Sequence, residues 1–228
     1  MPPALRPAPA SYDSAFVGTM ASAYLEQTPW TQLRLGVVRD LVEPRPGERV
    51  LDLGCAAGAI THFLSTFRCK SVGIDAEPLA VETARSLFPA LRFEVADVAS
   101  LPFEDVSFDK AVAADLVEHL DDGTLERMLA EVRRVLVPEG TLSLYTPNPR
   151  HPIERLKGRN LVLARNPTHI GLRTEAELAD AMRAAGFGID RLEWRASFFP
   201  GLSVVERLGG GRVESLRYRL CLRGRLPS

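Results

Sequence analysis

The stretch Arg49-Val-Leu-Asp-Leu-Gly-Cys-Ala-Ala-Gly58 starts with a short apolar run and ends in a loop in which glycines permit a tight turn. We interpret it as a strand over 49–54 that leads through this loop into a helix. The same alternation recurs downstream, with strands predicted at 71–75, 92–96, 108–114 and 141–145 and helices at 58–67, 78–88 and 124–136. Strands that alternate with helices predict an α/β fold with a doubly wound, mostly parallel sheet.

The flanking segments extend this unit into a single domain over 13–228, preceded by a flexible Pro/Ala tail over 1–12. We expect a cofactor half over about 34–146 and a substrate-side lobe made of the N-terminal helices and about 147–200. The flanking elements that we predict are helices at 14–24, 30–41, 153–156 and 174–185 and strands at 188–197 and 213–222. The helix at 174–185 begins with a Thr-x-x-Glu capping box.

The composition excludes several classes of protein. The 228 residues are 46% hydrophobic and 25% charged, with a formal net charge of −1, which is typical of a folded globular chain. No apolar run is long enough to cross a bilayer. The three cysteines lack the spacing of a zinc site or a disulfide framework, so we expect a cytoplasmic protein without structural metal.

The charge is divided unevenly along the chain. Residues 1–150 contain 14 basic and 21 acidic residues, whereas residues 151–228 contain 14 basic and 8 acidic residues. This division is compatible with an anionic partner for the second half, or simply with an arginine-rich solvated face. No dense basic-aromatic surface indicates a nucleic-acid partner.

The first three predicted strands each carry an acidic residue at or near the carboxyl end: Asp52, Asp75 and Asp97. Ligands of open α/β sheets bind beyond these ends, and an acid after the second strand suits a ribose diol. Asp97 is positioned to accept a hydrogen bond from an adenine amino group. Each acid has an alternative role, since Asp52 and Asp97 can organise their own loops and Asp75 can cap a helix. The pattern favours a cofactor that contains a nucleoside.

The glycine spacing distinguishes between two kinds of cofactor. The dinucleotide pattern G-x-G-x-x-G laid on Gly54, Ala56 and Ala59 lacks two of its three glycines. The pattern acid-x-Gly-x-Gly-x-Gly fits Asp52, Gly54 and Gly58, with Ala56 as its one departure. The sequence therefore disfavours an NAD-dependent oxidoreductase and favours a cofactor without a pyrophosphate.

Five segments in this order and spacing resemble the class I S-adenosylmethionine-dependent methyltransferases, in particular the ubiquinone-biosynthesis O-methyltransferase and its type-11 relatives. The segments are VLDLGCAAG (50–58), VGID (72–75), FEVADVASLPFEDVSFD (93–109), ADLVEHL (114–120) and RRVLVPEGTL (133–142), with a weaker match in HIGLRTEAELADAMRAAGF (169–187). The resemblance implies a Rossmann-like seven-stranded sheet with an antiparallel C-terminal strand. It also implies S-adenosylmethionine as cofactor and S-adenosylhomocysteine as product.

The resemblance assigns cofactor-binding roles to eleven residues. The loop under the methionine part contains Asp52, Gly54, Ala56 and Gly58. Asp75 and Ala76 are assigned to the ribose, and Asp97 and Val98 to the adenine ring. Asp115 and Leu116 are assigned to the surroundings of the sulfonium, and Arg34 to the cofactor carboxylate.

If the methyl acceptor is a hydroxyl, a general base helps by taking its proton. His119, His169 and His151 are candidates, and we select His119 and His169 as catalytic residues. Asp115-x-x-Glu118-His119 resembles a cluster that the subgroup uses for a divalent cation, but His119 can equally serve to hold its loop, and we expect no required metal. Tyr12, Phe16, Trp30, Phe198 and Phe199 are candidates for pocket lining or core.

The predicted activity is methyl transfer to a small molecule by in-line displacement, on oxygen or alternatively on nitrogen or carbon. The alternatives are an RNA or protein methyltransferase and a non-catalytic, cofactor-binding subunit of a partner. We expect a monomer or homodimer without a membrane span.

Overall fold

The computed structural model describes residues 14–158, 168–197 and 201–228. Two helices, α1 (Ser14–Leu25) and α2 (Pro29–Val42), precede the sheet as predicted. Thr28 caps α2, because its side chain accepts a hydrogen bond from the backbone N–H of Thr31. The predicted tail over 1–12 lies outside the described residues.

Seven strands of the described chain form one sheet in the order β3-β2-β1-β4-β5-β7-β6. All neighbouring pairs are parallel except those of β7, which runs antiparallel to β5 and β6. This confirms the doubly wound, mostly parallel sheet with an antiparallel C-terminal strand. The strands are β1 (Arg49–Leu53), β2 (Lys70–Asp75), β3 (Arg92–Val95), β4 (Phe108–Ala114), β5 (Leu136–Pro147), β6 (Gly188–Arg195) and β7 (Arg219–Arg225).

Helices connect the strands and cover both faces of the sheet. They are α3 (Ala59–Ser65), α4 (Pro78–Leu87), α5 (Asp122–Val135), α6 (Pro152–Gly158), α7 (Glu175–Ala184) and α8 (Leu202–Gly209). Side chains alternate between two core clusters along the central strands, so that Leu51 and Leu53 belong to one cluster and Val50 belongs to the other. The central position predicted for β4 is confirmed, since β4 lies between β1 and β5.

The strand order reverses between β1 and β4. The chain builds β1, β2 and β3 outward in one direction and then places β4 on the other side of β1. In the register of the sheet, Leu53 at the end of β1 pairs with both Ile74 and Ala113. The loops after β1, β2 and β4 therefore leave the same edge of the sheet side by side, and this switch point is where open α/β sheets bind ligands.

Three elements differ from the predicted ones. β5 begins at Leu136 and runs through Pro138 and Gly140, where a helix stop and a loop were expected. A register shift between Phe108 and Lys110, with Glu139 at φ 60°, accommodates this segment as a bulge. α8 was not predicted, and the segment predicted as a strand over 213–222 begins instead with a short 3-10 turn (Glu214–Leu216) before β7.

The remaining helices agree with the prediction. The capping box of α7 is present, with Thr174 and Glu177 exchanging hydrogen bonds between side chain and backbone. No helix among the described residues is long and apolar enough to cross a membrane.

Candidate active site

The carboxylate of Asp75 organises the loop that follows β1. Its Oδ2 accepts the backbone N–H of Ala56 at 2.9 Å, and its Oδ1 accepts that of Glu77 at 3.0 Å. Burial raises the pKa of Asp75, which is only 8% exposed. Asp75 is not the cap of α4, because Glu77 occupies that position and accepts the N–H of Leu79. Each carboxylate oxygen still has lone-pair capacity for a ligand hydroxyl.

The loop after β1 uses three residues with left-handed backbone: Gly54 (φ 69°), Ala56 (φ 47°) and Gly58 (φ 82°). A Cβ atom at Gly54 would lie 2.9 Å from Cδ1 of Leu116, and one at Gly58 would lie 2.7 Å from Cζ of Phe93. Glycine is therefore needed at both positions, for conformation and for space. Ala56 adopts the same region at a steric cost, so the departure from the glycine pattern is accommodated without loss of the turn.

Asp52 lies beneath this loop. It is 1% exposed, and its Oδ2 accepts the hydroxyl of Thr61 at 2.7 Å. Burial raises the pKa of Asp52 to about 7, while the bond from Thr61 opposes that rise. The carboxyl group connects β1 to α3 and holds the base of the loop.

Asp97 is close to Asp75 because the ends of β2 and β3 are adjacent. The backbone N–H of Ala96 donates to the carbonyl oxygen of Asp75 at 3.0 Å, and Oδ1 of Asp97 accepts the N–H of Ala99 at 2.9 Å. Val98 is buried and Ala76 is exposed at this edge. The structure thus brings together the residues that the sequence predicts for ribose and adenine.

Asp115 forms a second group at the end of β4, where its backbone has φ 58°. Its Oδ2 accepts Nε of Arg34 at 2.7 Å, and its Oδ1 accepts Nη1 of Arg219 at 2.6 Å. Burial alone would raise the pKa of Asp115, but the charges of Arg219 and Arg34 outweigh it and lower the pKa. The predicted partner of Arg34 was a cofactor carboxylate, and in this structure Arg34 binds the carboxylate of Asp115.

Arg219 is the main residue of this site that sequence reasoning missed. It begins β7, 104 residues after Asp115, and no motif marks it. Its guanidinium carbon lies 5.3 Å from the ring centroids of both Tyr145 and Tyr218. These contacts fix the side chain by cation–π attraction.

A third group follows Asp115 in the chain. Glu118 is 1% exposed and accepts the hydroxyl of Thr146 at 2.9 Å. Burial and the nearby charge of Asp115 raise the pKa of Glu118 to about 8. His119 contacts Thr168, with Nδ1 at 3.2 Å from its carbonyl oxygen and 2.8 Å from its hydroxyl. Nδ1 donates to these oxygens in the tautomer that carries its proton there, and it accepts from the Thr168 hydroxyl in the other tautomer.

The two predicted catalytic histidines are neighbours. The rings of His119 and His169 meet edge to face with centroids 4.9 Å apart. Burial lowers the pKa of both, in His169 to about 4, so both are neutral at pH 7. One ligand atom each from Glu118, His119 and His169 lies within 4.8 Å of the other two, so this donor set of one carboxylate and two imidazoles fits a divalent cation.

The third candidate histidine lies elsewhere. His151 is fully buried, and its Nε2 lies 2.9 Å from Oε1 of Glu206 on α8, so it joins α6 to α8. Of the candidate lining residues, Tyr12, Phe198 and Phe199 and the side chain of Phe16 lie outside the described residues. Trp30 packs against Arg34, whose guanidinium carbon lies 5.8 Å from the centroid of the Trp30 ring.

Comparison with known proteins agrees with this geometry. A family model described as a methyltransferase domain matches residues 50–140. The chain is 29% identical over 193 residues to a probable S-adenosylmethionine-dependent methyltransferase of Mycolicibacterium smegmatis, which covers 83% of this chain and 71% of that protein.

Two further relatives are named for different acceptor atoms. The 24-methylenesterol C-methyltransferase 2 of Oryza sativa is 31% identical, and the match covers 82% of this chain and 53% of that protein. The O-methyltransferase cnsE of Penicillium expansum is 32% identical, and the match covers 74% of this chain and 62% of that protein. The chain thus spans less than two thirds of the length of these two relatives.

A solved structure shows the same fold. The putative methyltransferase in complex with the Trm112 methyltransferase activator of Haloferax volcanii superposes with a TM-score of 0.70 at 20% identity, covering 94% of this chain and 95% of that one. Together, the strand order, the loop after β1 and the matched domain show that the chain contains a methyltransferase domain similar to those of the class I S-adenosylmethionine-dependent methyltransferases.

Proposed function

We propose that the protein methylates an oxygen atom of a small-molecule acceptor. When bound, S-adenosylmethionine supplies a methyl carbon that its sulfonium makes electrophilic. The protein's task is then to align an acceptor oxygen with that carbon, to exclude water and to receive the acceptor's proton. S-adenosylhomocysteine and the methylated acceptor are the products.

The cofactor-binding roles follow from the positions of the strand ends. Asp75 binds the ribose hydroxyls with its remaining lone pairs, and Asp97 with Val98 and Ala76 borders the adenosine. The backbone of the loop with Gly54, Ala56 and Gly58 supports the methionine part, with Asp52 acting beneath it. Asp115, Leu116 and Arg34 border the sulfonium and the amino-acid end.

The observation that carries the proposal is the state of His119. Burial lowers its pKa, which keeps the ring neutral near pH 7. In the tautomer whose Nδ1 donates to the carbonyl of Thr168, the lone pair of the neutral ring is on Nε2. A neutral imidazole close to the charge of Asp115 can take the proton of a hydroxyl. His169 holds this ring from its edge and contributes to the acceptor side of the cleft. A carbon acceptor is the second candidate, favoured by the similarity to the plant sterol enzyme.

A divalent cation is compatible with the same group of side chains. Glu118, His119 and His169 would hold it, and it would lower the pKa of an acceptor hydroxyl. Binding requires Glu118 to release its proton.

The test is a transfer assay with the purified chain, methyl-labelled S-adenosylmethionine and a panel of phenols, alcohols, amines, sterols, RNA and protein. We expect label in an oxygen-methylated small molecule. Label on carbon or nitrogen, or only in RNA or protein, would overturn the assignment. Tight binding of S-adenosylhomocysteine without transfer to any acceptor would instead favour a non-catalytic subunit.

A further inference from the structure

Two arginines share one ionised carboxylate at the carboxyl edge of the sheet. Asp115 binds Arg34 through Oδ2 and Arg219 through Oδ1, and the three side chains are between 11% and 23% exposed. We refer to these three residues as the Asp115 cluster. Both guanidinium groups are always protonated in proteins, so the cluster has a net charge of +1.

No second acid pairs with the two arginines. The carboxylate of Glu118 lies nearby, but it accepts the hydroxyl of Thr146. Within the described residues, Arg34 and Arg219 each form an ion pair with Asp115 alone. A charge held out of water favours the arrival of an opposite charge.

Arg219 has unused hydrogen-bonding capacity. Within the described residues its hydrogen bond to Asp115 uses Nη1, whereas its Nε is buried without a partner. The residue is 9% exposed, and Tyr145 and Tyr218 fix its plane. Nε and Nη2 form the edge of a guanidinium that binds both oxygens of a carboxylate.

The cofactor does not balance the cluster. S-adenosylmethionine has one carboxylate against an ammonium and a sulfonium, and S-adenosylhomocysteine has a carboxylate and an ammonium. A surplus of positive charge therefore persists in both complexes, and it favours an acceptor that carries a negative charge.

The place of Arg219 in the sheet separates it from the proposed adenosine site. Arg219 pairs with Pro147 of β5 and Arg195 of β6, on the half of the sheet opposite β2 and β3. This is the half that leads into α6, α7 and α8. We infer that Arg219 is a specificity-determining residue that binds a carboxylate group of the methyl acceptor, an inference that rests on the proposed function.

The experiment uses the wild-type chain saturated with S-adenosylhomocysteine and three matched pairs of probes: benzoate and benzamide, cinnamate and cinnamamide, hexanoate and hexanamide. Thermal unfolding and calorimetry measure binding. We expect at least one carboxylate to bind about 10-fold more tightly than its amide. Equal binding of all pairs, or tighter binding of phenyl phosphate than of every carboxylate, would overturn the inference.

Variants locate the effect. Arg219→Gln removes the charge and is expected to abolish the preference for carboxylates. Arg219→Lys keeps the charge but loses the two parallel N–H donors of the guanidinium, and it should retain part of the preference. The matched control is Arg225→Gln, at the far end of the same strand, which should behave as wild type. A preference that survives in Arg219→Gln would contradict the inference.

The affinity for S-adenosylhomocysteine is measured for every variant. It reports on folding and separates the two claims, because wild-type protein that fails to bind this ligand refutes the proposed function itself. If Arg219→Gln does not fold, the wild-type probe pairs and Arg219→Lys decide the question.

Discussion

The carboxylate of Asp75 accepts the backbone N–H of Ala56 at 2.9 Å, which joins the end of β2 to the loop after β1. These two residues are 19 positions apart, and their contact fixes the shape of the cleft floor before any ligand arrives. A preformed loop reduces the ordering that ligand binding has to impose.

Replacing Asp75 with Ala should weaken binding of S-adenosylhomocysteine by about 1–3 kcal/mol, because the ribose loses its acceptor and the loop loses its anchor. Titration calorimetry measures the change. The control is Asp180→Ala on α7, whose side chain is 74% exposed. Unchanged affinity in Asp75→Ala would contradict the ribose assignment.

Replacing Ala56 with Gly should stabilise the protein by about 1 kcal/mol, because the left-handed backbone at φ 47° is costly for alanine and easy for glycine. Urea unfolding measures the difference. The opposite substitution, Gly58→Ala, should destabilise the fold, since its Cβ would collide with Phe93. A less stable Ala56→Gly protein would show that the left-handed conformation carries no strain.

Replacing Glu118 with Gln should alter how stability depends on pH. The folded protein keeps the proton of Glu118 up to about pH 8, whereas the unfolded chain releases it near the ordinary glutamate pKa of 4.5. The wild type therefore loses stability as pH rises from 4.5 to 8, and the variant lacks this loss, which is on the order of 1–3 kcal/mol.

Urea unfolding at several pH values between 5 and 8 tests this prediction. The stability of Glu118→Gln relative to wild type should increase steadily with pH. The control Glu126→Gln, on the exposed side of α5, should run parallel to wild type. Parallel curves for Glu118→Gln as well would refute a raised pKa.

Replacing His119 with Gln should lower turnover by about 100-fold or more and leave the affinity for S-adenosylhomocysteine unchanged. The reason is that His119 takes the proton of the acceptor hydroxyl and does not bind the cofactor. Steady-state kinetics and calorimetry measure the two effects. In the wild type the rate should fall on the acid side below pH 6.5, since burial lowers the pKa of His119. A full-rate variant would remove His119 from the mechanism. His62→Gln is the control, because that ring stacks on Phe88.

The alternation of strands and helices between Arg49 and Tyr145 made the sheet predictable, because the period of the apolar residues changes from one element to the next. The acids at or near the carboxyl ends of β1, β2 and β3 were predictable for the same reason, since parallel strands present their carboxyl ends at one edge. The capping box of α7 was readable from Thr174 and Glu177 alone.

Features that depend on contacts distant in sequence were not predictable. The pairing of Asp115 with Arg219 spans 104 residues, and an arginine among many gives no local signal. α8 is short, and its burial is the reverse of the usual core-facing pattern, because Val204, Val205 and Leu208 are exposed and Glu206 is buried. The start of β5 was missed because Pro138 and Gly140 normally end an element, and here they form a bulge.

The most direct test of the account is a crystal structure of the chain soaked with S-adenosylhomocysteine. We expect both oxygens of the Asp75 carboxylate to lie about 3 Å from the two ribose hydroxyls, with the sulfur beside Asp115 and the adenine beside Asp97. A ligand bound away from the ends of β1, β2 and β4, or a cleft that takes NAD and rejects S-adenosylhomocysteine, would contradict it.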